Sequence, residues 1–139
     1  MKYYAVIDTN VIVSSMFKKG SVPSRIVDYA ITGEIVPLLN DEIIAEYEDV
    51  LLRNEFGFDE NDVNKIMENI RSNAIYLDRT NADENFPDPD DAVFYEIVLT
   101  AGKTTDAYLI TGNSKYYPIK PFVVTPREML EIMENRLDN

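Results

Sequence analysis

The chain has 139 residues, 25 of them acidic and 13 basic, for a formal charge of −12, with no histidine, cysteine or tryptophan. Disulfides, thiol nucleophiles, thiolate or imidazole metal sites and Ser-His-Asp triads are thereby excluded. Any chemistry must run on carboxylates, hydroxyls, lysines or a metal held by oxygen. A hydrophobic content of 45% with 11% aromatics is enough for a real core, and the length suits one domain over residues 1–139. The acidic balance argues against simple coating of nucleic acid. Locally, however, Lys2, Lys18, Lys19 and Arg25 face only Asp8 in the first 27 residues. Lys103, Lys115, Lys120 and Arg127 likewise outnumber Glu96 and Asp106 late in the chain. A basic rim on an acidic body is expected.

In chain order, Tyr4 to Ile7 is a continuous apolar run, as in a strand covered on both faces. Asp8-Thr9-Asn10 then supplies N-cap residue types, and Val11-Ile12-Val13 opens a short helix or turn. Ser21-Val22-Pro23 starts a helix through Ile26, Val27 and Ala30 that Gly33 closes. Ile35 to Leu38 is a second strand, in which Pro37 implies an end or an edge. Asn40 or Asp41 caps a helix with the stripe Ile43, Ile44, Tyr47, Val50 and Leu51. Asp59 opens another through Val63, Ile66, Met67 and Ile70.

Ile75-Tyr76-Leu77 is the third strand, and the polar stretch 78–90, with Pro87 and Pro89, is a loop. A helix from about Asp91 runs through Phe94, Ile97, Val98 and Ala101 to Gly102. Tyr108-Leu109-Ile110 is the fourth strand, stopped by Thr111-Gly112-Asn113, and Phe122-Val123-Val124 is the fifth. Thr125, Pro126 and Glu128 form a capping box ahead of the last helix. Strands alternating with helices define an α/β fold with a mainly parallel, roughly five-stranded sheet. The N-terminus lacks the apolar segment of a secretory signal, and nothing approaches the ~20 apolar residues that span a bilayer. No membrane association and a cytoplasmic setting are expected.

In such sheets, ligands sit beyond the carboxyl ends of the strands, near the point where strand order reverses. Asp8 follows strand one, Asn113 follows strand four, and Glu46 flanks the buried stripe one turn into its helix. Asp88, Asp90 and Asp91 precede the helix before strand four. These groups can gather at one edge. Clustered carboxylates repel one another, which a divalent cation relieves, and an all-oxygen donor set suits Mg²⁺ or Mn²⁺. Each residue also has a plainer reading. Asp8 can be an N-cap and Glu46 part of a solvated face. Asp88, Asp90 and Asp91 can cap a helix, and Asn113 can be a turn residue tolerating a left-handed backbone.

Four segments in this order carry a resemblance: Val6-Ile7-Asp8-Thr9-Asn10-Val11, Glu42-Ile43-Ile44-Ala45-Glu46-Tyr47, Asp88-Pro89-Asp90-Asp91, and Asp106-Ala107-Tyr108-Leu109-Ile110-Thr111-Gly112-Asn113. Over nearly its whole length the chain resembles the PIN-domain nucleases, especially single-domain members classed as toxins of toxin–antitoxin pairs. The resemblance implies a three-layer α/β/α sandwich and metal-dependent cleavage of RNA. It places Asp8, Glu46 and Asp91 on the family's acidic ligand positions, with Asp90 as rival to Asp91. The fourth position, often aspartate, is Asn113, which keeps an oxygen ligand but loses a charge and so is expected to weaken or reposition a second metal. Asp88 and Asp106 become supporting acids, and Thr9 and Asn10 outer-sphere or phosphate-contacting groups. Lys18, Lys19, Lys115 and Lys120 are candidate RNA contacts, and a cognate antitoxin and a homodimer are family expectations.

Two other functions stand beside a metal-dependent ribonuclease. One is a weakened PIN-like protein that acts mainly by binding RNA or a protein partner, as Asn113 and the −12 charge suggest. The other is a phosphohydrolase with Asp8 as nucleophile, although the Asp-x-Asp pattern of such enzymes is broken by Asn10.

Overall fold

The computed structural model describes residues 1–137. Strand β1 (Tyr3–Ile7) leads to α1 (Thr9–Phe17) and α2 (Val22–Thr32), then β2 (Ile35–Leu39), α3 (Asp41–Leu51) and α4 (Glu60–Ser72). After β3 (Ile75–Tyr76), a long connection ends in a 3-10 turn at Pro89–Asp91. It is followed by α5 (Ala92–Gly102), β4 (Ala107–Ile110), a second 3-10 turn (Ser114–Tyr116), β5 (Val123–Val124) and α6 (Pro126–Leu137). The five strands form one sheet in the order β3-β2-β1-β4-β5, and every pairing is parallel.

Local chemistry sets the boundaries. The Ser21 hydroxyl accepts from the Ser24 amide, Asn40 Oδ1 accepts from the Ile43 amide at 2.8 Å, and Asp59 caps α4. At α6 the capping box closes in both directions, the Thr125 amide donating to Glu128 Oε1 at 2.9 Å and the Glu128 amide to Thr125 Oγ1 at 3.1 Å. Gly33 ends α2 at φ +94°, a left-handed backbone that a side chain would strain.

Parallel crossovers are right-handed, and the path β1-β2-β3 runs one way across the sheet while β3 to β4 runs back. The helices of the first path therefore cover one face and α5 the other, giving three layers. The core is continuous through Val6, Ile7, Leu38, Leu39, Phe94, Ile97, Leu109 and Ile110, each almost wholly buried.

Pro37 does not mark an edge. Strand β2 is buried at all five positions and lies between β3 and β1, with Pro37 opposite Ala5. Proline is accommodated because β3 pairs only with Leu38 and Leu39, so one flank of the strand at Pro37 has no neighbour to receive a hydrogen bond. The edge strand on that side is β3, two exposed residues long. Of the short helix or turn expected after Asp8, the structure has the helix, nine residues long.

Candidate functional site: an acidic cluster at the carboxyl edge of the sheet

The strand order reverses between β1 and β4, so the crevice of this fold lies where these two strands end. Asp8 leaves β1 at that point, its amide bonded to the Ile110 carbonyl at 2.9 Å. Asp8 stands at the N-cap position of α1, yet its side chain makes no capping bond. It turns instead toward β4. Thr111 Oγ1 donates to Asp8 Oδ2 at 2.8 Å, the Tyr117 hydroxyl at 3.0 Å, and Asn10 Nδ2 at 3.4 Å. Asp8, Thr111 and Tyr117 are all buried. Burial pushes the Asp8 carboxyl above its ordinary value, and the Thr111 and Tyr117 hydroxyls pull it part of the way back.

Asn10 also clamps the loop beyond β4, its Oδ1 accepting from the Gly112 amide at 3.2 Å. A Cβ at Gly112 would lie 3.3 Å from that oxygen, so glycine permits the close approach. Thr9 is buried beside Asp8, and its hydroxyl has no hydrogen-bond partner in the protein.

Glu46 is brought in by its neighbour. The Tyr47 hydroxyl, fully buried, donates to the carbonyl of Ile7 and pins α3 to the end of β1 next to Asp8. Glu46 is half-buried, and its carboxyl is raised first by burial and then by the charges of Asp90, Asp49 and Asp8, with Arg53 opposing. Asp91 stands at the start of α5, where it makes no capping bond. Burial pushes it up to about 6, reinforced by Asp8, Asp88, Glu46 and Asp90 in that order. Asp88 does act as a local cap, accepting from the Asp90 amide at 2.9 Å. A polar pocket of about 220 Å³ opens beside Glu46 and Asp90, with Glu42, Arg79, Pro89 and Val93 completing its wall.

The three principal acids thus feel one another's charge, while the ion pairs of the described residues close elsewhere. Arg79 pairs with Glu42 and Glu96, Arg53 with Asp49, Arg25 with Glu134 and Lys120 with Glu84. Among the described residues, no three carboxylates close on a common point as a complete ligand set. The donor chemistry nevertheless fits a hard divalent cation. Such ions are commonly held by one or two carboxylates and retain water, so an open, mutually repelling set of oxygens is the arrangement they relieve.

The remaining candidates are scattered. Asn113 lies two residues after Thr111, its amide donating to Thr111 Oγ1 at 3.1 Å, and its φ of −143° is not left-handed. Asp106 does not join the cluster. It precedes β4 at the opposite edge of the sheet, roughly 15 Å of extended chain from Thr111. Sharing a sequence motif with Thr111 does not bring it near, because the strand between them runs directly away. Lys18 and Lys19 are exposed at the far end of α1. Exposed Lys115 lies 5.8 Å from the Tyr116 ring centroid, and Lys120 is 3.5 Å from Glu84.

Sequence reasoning missed Tyr117, Tyr47 and the Arg79–Glu96 pair, whose contacts join distant segments without a local pattern. Tyr117 had one available signal, the pair Tyr116-Tyr117 shortly after Asn113, but nothing local says which of the two rings turns inward.

Residues 4–115 match the family model of the PIN domain, and the chain belongs to that family. PIN domains are nucleases as a class and generally work with divalent cations on nucleic acid. No curated protein matches the chain. Among the described residues, no helix is long and apolar enough to cross a membrane.

Proposed function

We propose that the protein is a Mg²⁺- or Mn²⁺-dependent endoribonuclease, the toxin of a toxin–antitoxin pair acting in the cytoplasm. The observation that supports this most is the gathering of three carboxyls raised above their ordinary values at the strand-order switch point: burial raises Asp8, and Asp8 in turn adds its charge to the burial of Glu46 and Asp91, with only Arg53 opposing at Glu46. Asp8, Glu46 and Asp91 would hold the cation, with Asn113 as a weaker fourth oxygen. When bound, that ion supplies Lewis-acid polarisation of the phosphoryl group and access to hydroxide near neutral pH. Asp88 and Asp90 keep the local potential negative, while Lys18, Lys19, Lys115 and Lys120 offer backbone contacts to RNA outside it. A cognate antitoxin would meet the carboxylates with a basic side chain, and a homodimer accords with the family.

The test is cleavage of single-stranded RNA by the purified protein with Mn²⁺, with EDTA, and with Asp8→Asn. Loss of activity in EDTA and a fall of at least about 100-fold in Asp8→Asn are expected, since the change takes the negative charge from a ligand itself and not from a group that orients one. Products should carry a 5′-phosphate and a 3′-hydroxyl. Metal-independent cleavage, or an undiminished Asp8→Asn, would overturn the assignment.

Asn113 and the open ligand set favour a second reading, a protein that binds RNA or a partner without cutting. Calorimetry distinguishes them: the second reading requires no Mn²⁺ uptake at millimolar concentration together with retained RNA affinity.

A further inference from the structure

Beyond the carboxylates themselves, Tyr117 touches both Asp8 and the connection that carries Asp88, Asp90 and Asp91. Its hydroxyl donates to Asp8 Oδ2 at 3.0 Å. Its ring meets Phe86 edge-on, centroids 6.5 Å apart and planes at 77°. Phe86 stands two residues before Asp88, on the connection that delivers Asp88, Asp90 and Asp91. Phe86 is held in turn against Tyr95 of α5 at 5.4 Å, and Tyr95 against Phe122 at 5.7 Å. One aromatic chain therefore runs from the last strands of the sheet, through the acidic connection, to Asp8.

We infer that Tyr117 is a positioning residue that sets the spacing of Asp8 from Asp91, its hydroxyl fixing the first and its ring, through Phe86, the second. The inference rests on the nuclease reading above. Three features support a role beyond packing. The tyrosine is buried, so its hydroxyl needs a partner, and the partner it has is an acid of the cluster. Thr111, Tyr117 and Asn10 all converge on the same oxygen, Oδ2, which fixes the rotation of the carboxylate rather than merely neutralising it. The turn carrying Tyr117 is itself locked, the Tyr116 amide bonded to the Asn113 carbonyl at 3.2 Å and the Tyr117 amide to the Ser114 carbonyl at 3.1 Å. Groups that orient a ligand in this way are worth about 10–100-fold in metal affinity.

The experiment compares the wild type, Tyr117→Phe and Phe86→Leu in the intact chain. It measures Mn²⁺ affinity by calorimetry, thermal unfolding without metal, and kcat and KM on a short RNA. Tyr117→Phe keeps the ring and removes one oxygen. Mn²⁺ binding about 10–100-fold weaker, lowered kcat with unchanged KM, and a melting temperature within about 2–4 °C of the wild type support the inference. Phe86→Leu leaves every bond to Asp8 in place and should weaken Mn²⁺ by shifting Asp91. Unchanged Mn²⁺ affinity in both variants, with wild-type binding and cleavage intact, overturns the inference and leaves the nuclease reading standing. Losses of affinity that merely track the fall in melting temperature also overturn it. A wild type that binds no Mn²⁺ removes both.

Discussion

Asp8 and Glu96 are buried almost equally, at 6% and 5% relative exposure, but their surroundings differ. Glu96 is neutralised by the protein: Arg79 reaches its Oε1 with Nε at 2.6 Å and Nη2 at 2.5 Å, and the Ala82 amide donates to its Oε2 at 2.8 Å. The same guanidinium extends Nη1 to Glu42 of α3 at 2.7 Å, so one arginine ties α3, α5 and the start of the long connection together. Asp8 receives hydroxyls and an amide but no guanidinium or ammonium, and its own charge helps to raise Asp91 and Glu46. The chain supplies an arginine to one buried carboxylate and not to the other, which separates a neutralised acid from an uncompensated one. Burial alone does not mark the site; burial without compensation does.

That contrast is open to attack from either end. Removing the compensation should hurt most: Arg79→Met leaves Glu96 buried and unpaired. It should cost about 3 kcal/mol of unfolding free energy in urea, with Arg79→Lys recovering only part because an ammonium cannot make the forked contact. If Arg79→Met melts like the wild type, Glu96 is not held as described. Conversely, supplying the missing positive charge to the other cluster should stabilise it. Mn²⁺ at 100 times its Kd should raise stability by about 2.7 kcal/mol, and Asp8→Asn should abolish the gain.

The smallest effect concerns protons. Asp91 titrates at about 6 in the folded chain, against about 3.9 when unfolded. Between those values the native state holds more protons, so stability falls as pH rises through the window and the penalty is complete above it. Metal-free protein should therefore be more stable at pH 5 than at pH 7 through this group. Solvent screening of a half-exposed carboxyl reduces the difference to about 1 kcal/mol. Asp91→Asn should flatten that slope, as measured by urea titrations across the range.

The layers of the fold were legible because their signals are local. Apolar runs at Tyr4–Ile7 and Tyr108–Ile110, caps at Ser21, Asn40 and Thr125, and the Gly33 stop each act within a turn of themselves. Pro37 misled because its tolerance depends on where a neighbouring strand begins, which no local pattern records. The positions of Asp8, Glu46 and Asp91 came from motif order, and the structure brings them within reach of one another's charge. What made the difference between cap and site, however, was long-range. Asp8 was released from capping by Thr111 and Tyr117, over 100 residues away, and Glu96 became structural through Arg79. Asp106 was misplaced for the converse reason, since adjacency in sequence across a strand means separation in space.

Of the strands in the sheet, the central one comes first in chain order and one of its two neighbours comes fourth. On a ribosome, Asp8 appears early, Glu46 and Asp91 follow, and yet β4, Thr111 and Tyr117 are still to come. Until β4 docks beside β1, the carboxylate has neither a crevice to sit in nor hydroxyls to orient it. A growing polypeptide would thus hold Asp8, Glu46 and Asp91 well before it could arrange them, and their grouping would wait on the emergence of β4 and the turn behind it.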